Sequence, residues 1–352
     1  MLVPFTVDPD IFLGPCSKDD EVHHEDLLKL WSQFGQLVIP SNRETESRLL
    51  RQLTAKPQDR FMQIIQRNWM HHLKFCRRKV ANPEFDNVLS ELEYSKAKNI
   101  YPSIKLVCLD SVRAEFWGVN DDEISKQEIG NFEFCKFGFE RHTNEFKKII
   151  ELWDTPIKSG QSRRQVWDER IYDLACDVSV VVINDPYAVD NFLISKNKAD
   201  SGLGWFLLNL AKIPTAAKKR IELISCVDTG GSEAYAIQSD TKRSRQASIA
   251  NAYQELVEFS HELVGGSIRE IEPYFSFHSI YSKVEHYRGL RFNDFNFLEM
   301  DVGLEPFAKD FVTRTNSLNL RNWMANSAAV FRDDEKKVRS ISNKMPVINC
   351  AT

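Results

Sequence analysis

The sequence predicts an α/β protein in two units: a small α/β unit, then a mixed sheet flanked by helices. Three observations carry this expectation. The chain has 352 residues, 42% of them hydrophobic, too long for one ordinary domain and sufficient for a core in each of two. Short apolar runs of strand type alternate with amphipathic stretches of helix type. The segment Asp154-Thr155-Pro156-Ile157-Lys158-Ser159-Gly160-Gln161-Ser162 breaks the alternation with turn-forming residues and marks the boundary. The expected division is 1–155, 160–310, and a polar, charged end over 311–352 read as a peripheral helix and loose tail.

The first unit opens with a strand over 5–12 that carries Asp8 and Asp10. A helix over 25–34 stops at Gly35, and a strand follows over 36–40. Residues 43–80 read as two helices, with Leu49, Leu50, Leu53, Ile64, Ile65 and Trp69 on one face. Strands follow over 104–110 and 132–137, and a helix over 143–153 closes the unit. Asp8, Asp10, Glu44, Glu46 and Asp110 fall at strand ends, where acids can gather round a divalent cation. This arrangement faintly resembles PIN-like nucleases; solvated loop acids are the simpler reading.

The second unit begins with a helix over 164–176. A buried-type strand over 178–183 ends in Asn184-Asp185-Pro186-Tyr187. A helix over 204–210 precedes a strand over 220–226. The polar stretch 232–245 reads as an exposed, mobile loop. A long helix over 246–263 and a strand over 271–277 lead to a strand carrying His286.

Composition narrows the function classes. A formal net charge of −4 argues against nucleic-acid binding through overall charge and leaves room only for a local basic groove. No apolar run approaches the roughly 18 residues that span a bilayer, and no signal peptide is evident. The seven cysteines are odd in number and form no Cys-x-x-Cys pair. They predict a reducing, cytoplasmic setting, with no zinc site and no cofactor.

The stretch His286-Tyr287-Arg288-Gly289-Leu290-Arg291-Phe292-Asn293 carries the chemistry. It has the spacing of the phospholipase-D signature H-x-K-x4-D, with Arg288 in the Lys position and Asn293 in the Asp position. Alternate residues of a strand share a face, so His286 and Arg288 are expected to point together. Imidazole can attack phosphorus and carry a proton. Guanidinium grips phosphate oxygens with two prongs, a role open to Arg288 and Arg291. Asn293, as a neutral amide, can orient an imidazole or bind phosphate.

Three islands resemble the C-terminal domain of MIT-domain proteins, a phospholipase-D-like fold that also occurs in bacterial proteins. The first is Val178-Ser-Val-Val-Val-Ile-Asn-Asp185-Pro186-Tyr187. The second is Ile221-Glu-Leu-Ile-Ser. The third is the His286–Asn293 stretch with Asp301-Val-Gly303-Leu304 beyond it. The resemblance covers about 160–310 and implies a prokaryotic, phospholipase-D-type mixed sheet. Tyr287 departs from the family's Asp, and Asp301 stands where a basic residue is common. Nothing in 1–155 resembles a microtubule-interacting domain.

The expected catalytic residues are therefore His286, Arg288 and Asn293, the phosphate-binding residues Arg288 and Arg291, and the supporting residues Asp185, Tyr187 and Asp301. The expected function is phosphodiester binding, with hydrolysis of nucleic acid as in a nuclease-like defence or processing factor. The alternative is a non-catalytic module for anionic phospholipid or protein partners. A single half-motif predicts a homodimer that assembles two copies around one phosphate.

Overall fold

Asp8-Pro9 sets the first boundary of the fold. The first strand, β1, runs Val3–Val7; the Asp8 amide still reaches the Cys108 carbonyl at 2.8 Å, and Pro9, with no N–H to offer and φ fixed for a turn, starts the next element. Asp8 then caps a 3-10 turn, Pro9–Phe12. The strand expected over 5–12 thus ends early, and its two acids lie beyond it. The computed structural model divides the chain into two units, Leu2–Asp154 and Thr155–Thr352. It describes residues 2–13, 16–38, 48–75, 104–119, 133–176, 178–215, 218–227, 242–282 and 287–350.

In the N-terminal unit, Ser17 and Asp20 form a reciprocal capping box that starts a helix at Lys18, ahead of the expected position, and carries it to Phe34. Strands β2 (Gly35–Leu37), β3 (Leu106–Leu109) and β4 (Glu133–Lys136) join β1 in an all-parallel sheet of order β2-β1-β3-β4. The order reverses between β1 and β3, so their C-terminal ends flank a topological switch point. Phe5, Trp31, Trp69 and Phe146 pack in the interior. The helices Arg48–Thr54, Arg60–Phe75 and Asn144–Asp154 meet the expected positions.

The C-terminal unit holds an eight-stranded mixed sheet. Its strands are β5 (Val180–Asn184), β6 (Lys219–Cys226), β7 (Ile268–Ser276), β8 (Gly289–Phe292), β9 (Asn296–Met300), β10 (Leu318–Asn322), β11 (Asn343–Lys344) and β12 (Ile348–Asn349). The order is β10-β9-β8-β5-β6-β7-β11, and β12 also pairs with β7. Strands β5, β6 and β7 are parallel, and β8 runs antiparallel to β5. The helix Ala188–Ile194 packs on β6 and against the helices Gly202–Ala211 and Lys242–Ser260. The last helix, Ala329–Ile341, buries Val338 against Val182, Ile224 and Tyr281.

Residues 311–352 were expected as a peripheral helix and tail. They instead supply three strands and that packed helix. Of the polar stretch 232–245, residues 232–241 lie outside the described residues, and the helix already runs from Lys242.

A row of side chains crosses the sheet beneath the last helix. Arg291, Val182, Glu222 and Glu272 are successive register partners on β8, β5, β6 and β7. Arg291 donates Nε and Nη2 to Glu335 at 3.0 and 2.8 Å. Arg339, four residues further along the helix, bridges Glu335 and Glu222. Lys344 pairs with Glu272. Arg291, Glu222, Glu272 and Glu335 are buried, and charges so placed persist only when paired and hydrogen-bonded, so the helix and sheet are matched through ions as well as through apolar packing.

Candidate functional site

The C-terminal ends of β5 and β7 and the N-terminal end of β8 lie at one edge of the sheet, because Asn184 is paired with Gly289. Ligand sites of α/β sheets form at such strand ends. Five side chains converge there. Asp185 is fully interior. Its Oδ1 accepts the Tyr187 amide at 3.0 Å and its Oδ2 accepts the Leu304 amide at 2.8 Å. Burial pushes its carboxyl up from the usual range; the two amides, then Arg288 and His278, draw it back. Gly303, at φ +60, makes this contact possible, because a Cβ there would lie 2.1 Å from Asp185 Oδ2.

Tyr187 remains 43% exposed. Its ring lies 4.6 Å from the His278 ring, tilted by 36°. The Arg288 guanidinium sits 4.6 Å from the same ring, at cation–π distance. Arg288 also donates Nη1 to the Asp301 carbonyl at 3.2 Å. Among the described residues its other N–H groups have no hydrogen-bond acceptor. His278 Nε2 stands 3.7 Å from Asp190 Oδ2, a separation that holds an imidazolium once it is protonated. Arg245 covers the ring of Phe277, the residue before His278, at 5.1 Å. Beneath the cluster, Tyr281 donates its hydroxyl to Asn184 Oδ1 at 2.7 Å and Ser225 donates to the Asp185 carbonyl at 2.7 Å.

Four of the residues singled out in the sequence meet here: Arg288, Asp185, Tyr187 and Asp301. Asp301 contributes its main-chain oxygen, while its carboxylate accepts the Ser317 amide at 3.0 Å. His286 lies outside the described residues. Arg291 and Asn293 belong elsewhere. Arg291 is committed to Glu335 and to Asp294 at 2.9 Å, on the face under the last helix, so its expected phosphate-binding role is replaced by an ion-pair role. Asn293 sits at the opposite end of β8, about 16 Å along the strand from Arg288 at ordinary strand rise. It adopts φ 51°, and its Oδ1 accepts from Ser179 N, Ser179 Oγ and Val180 N at 3.1, 3.3 and 2.9 Å. It fastens the start of β5 and is not beside the cation, which removes it from the expected catalytic set. Tyr287 packs edge-on to Phe297 and Phe331, which accounts for an aromatic residue at that position. Sequence reasoning missed His278 and Asp190, which carry no motif; one signal was available, a histidine just past a buried strand.

The N-terminal unit gathers its acids at the switch point. Asp8 pairs with Arg113, Asp10 with Arg48 and Arg113, and Asp110 caps the helix Ser111–Phe116 through the Arg113 amide at 3.0 Å. Burial raises the Asp8 carboxyl, and the Asp10 amide and Arg113 oppose that. Glu44 and Glu46 lie outside the described residues.

No protein-family model matches the chain, and a search of curated proteins finds no match either. No helix among the described residues is long and apolar enough to cross a membrane.

Proposed function

We propose that the C-terminal unit binds a phosphodiester, with nucleic acid as the ligand class, at the strand edge formed by Arg288, His278 and Tyr187. One observation carries this reading. Arg288 is fixed by the Tyr187 ring and the Asp301 carbonyl, yet its remaining donors face no protein acceptor among the described residues. A guanidinium held in place with donors to spare is suited to phosphate oxygens. The His278 imidazole beside Tyr187, with Asp190 behind it, adds a second cation when protonated and a proton carrier in either state.

Hydrolysis in this reading draws its nucleophile from His286 and its proton carrier from His278. A second copy of the chain would supply the other half-motif, so the homodimer belongs to the same proposal. A fluorescent single-stranded oligonucleotide titrated into the full chain tests binding. Arg288→Ala is expected to weaken it about tenfold to a hundredfold, the scale of charge-assisted hydrogen bonds. Unchanged affinity in a folded Arg288→Ala protein refutes the proposal. Binding only to anionic vesicles favours the lipid module instead.

A second reading places the hydrolytic chemistry in the N-terminal unit. It is favoured by the meeting of Asp8, Asp10 and Asp110 where the order of a parallel sheet reverses. Carboxylates are the donors that Mg2+ or Mn2+ takes, and Arg113 now neutralises them. Nuclease activity that requires manganese and disappears in Asp8→Asn, while Arg288→Ala retains it, would assign catalysis to this unit.

A further inference from the structure

Two thiols and a carboxyl meet in the interior of the N-terminal unit, between β3 and β4. Cys108 on β3 and Cys135 on β4 are register partners, so both side chains leave the same face of adjacent parallel strands. Their sulfurs lie 3.7 Å apart. Glu140, on the turn Glu140–His142, brings its carboxyl to the same point. One donor atom from each of the three lies within 4.8 Å of the others. All three residues are buried.

Buried cysteines alone are ordinary core residues. A fully buried glutamate that faces them is not, since it places an ionisable group where water is absent. Burial pushes both thiols up and Glu140 to about 7. Metal binding needs the thiolate and carboxylate forms, so a cation that enters between these groups does so by displacing the protons they carry. The sulfur spacing, that of a thiol–thiol hydrogen bond here, also suits a shared ion. A tetrahedral centre with metal–sulfur bonds of about 2.3 Å separates two sulfurs by about 3.8 Å, whereas a disulfide needs about 2.05 Å. Glu140 is also held in place, because its Oε1 accepts the Gly138 amide at 3.0 Å. Gly138, at φ +96, admits the His23 ring where a Cβ would collide with it, so the turn is packed as well as bonded.

We propose that Cys108, Cys135 and Glu140 form a binding site for a thiophilic divalent cation of the zinc class. Thiolates select such ions over magnesium or calcium. Uptake replaces protons by one ion: each sulfur loses its proton to solvent, Glu140 loses its own where it still carries one, and the two thiolates and one carboxylate oxygen bond to the metal. Three protein ligands leave one tetrahedral position for an outside ligand. The sequence reading of no zinc site rested on local Cys-x-x-Cys spacing. These cysteines are 27 residues apart and are joined by strand pairing.

The test uses the full chain, reduced and stripped of metal, titrated with Zn2+ or Co2+. One equivalent is expected to bind. Co2+ should produce a thiolate-to-metal charge-transfer band, and Zn2+ should release protons at neutral pH. Glu140→Gln should weaken binding at least tenfold. The pair Cys108→Ser and Cys135→Ser should abolish it, and Cys16→Ser should leave it unchanged. Stoichiometric binding that survives the double serine variant overturns the proposal. If that variant does not fold, the wild-type protein decides: no charge-transfer band and no proton release overturn it. A Cys108–Cys135 disulfide forming in air, with no metal uptake by the reduced chain, does so as well.

Discussion

Asp185 accepts the Leu304 amide at 2.8 Å across 119 residues of sequence. This bond ties the end of β5 to the turn after β9, and Gly303 is the residue that lets the two approach. Gly303→Ala requires a left-handed backbone at alanine and drives a methyl group into the carboxylate. The expected loss is about 2–4 kcal/mol from strain and steric overlap together. Urea unfolding of the C-terminal unit measures it, and a loss below the scatter of a surface substitution contradicts this account.

Arg288 and Arg291 are neighbours in sequence with opposite duties. Arg291→Ala takes two charge-assisted hydrogen bonds from the buried Glu335, leaves it with Arg339 alone, and is expected to cost about 2–3 kcal/mol. Arg288→Ala removes a half-buried cation from the sheet edge and is expected to cost about 1 kcal/mol or less. Thermal unfolding of the two variants side by side should rank them in that order.

Asn293 combines positive φ with an oxygen shared by three donors. Asn293→Ala loses both and should destabilise by about 2 kcal/mol. Asn293→Gly restores only the backbone freedom and should recover part of that loss. Equal stability of the two variants would show that the side-chain oxygen carries the whole effect.

Two buried groups of the N-terminal unit bias stability in opposite senses with pH. His24 Nδ1 accepts the Trp69 indole N–H at 3.0 Å, and burial lowers its pKa from 6.5 to about 3. A lowered folded-state value contributes stability above 6.5 that is lost as pH falls toward 3. Glu140 is raised by burial from 4.5 to about 7, so its contribution is complete below 4.5 and is lost as pH rises toward 7. Each slope is about 1.4 kcal/mol per pH unit. They oppose one another between pH 4.5 and 6.5, where the metal-free unit should show a stability plateau. His24→Gln should turn the plateau into a decline with rising pH, and Glu140→Gln should turn it into a rise. Three parallel stability–pH curves would contradict both assignments.

Much of this fold is legible in the sequence because its central strands are unbroken apolar runs. Val180–Asn184 and Leu106–Leu109 are buried nearly throughout, and their neighbours alternate with amphipathic helices. The outer strands are not legible for the opposite reason. β10 reads Leu-Asn-Leu-Arg-Asn and β11 has only two residues, too short or too polar to show a period. The candidate site is legible where a motif supplies a charged residue, as at Arg288, or a turn, as at Asp185. Arg291 misleads because its partner Glu335 lies 44 residues away. Nothing local distinguishes a cation bound for a ligand from one bound for an ion pair. His278 carries no motif, and its place just past a buried strand is the one hint the sequence offers.

The outer edge of β7 is closed by the last strands of the chain, with Asn343 and Lys344 opposite Phe275 and Tyr274, and Ile348 opposite Ile271. During synthesis on a ribosome that edge therefore stays open until these residues have emerged. An unlatched strand rich in isoleucine, tyrosine and phenylalanine is a template for aggregation and a surface for chaperones. Pro273 limits the hazard. Its carbonyl faces the open edge and later receives the Met345 amide at 2.9 Å, so its missing N–H removes a donor from that same edge. A stray strand finds an interrupted ladder there, while the segment carrying Met345 needs only the acceptor.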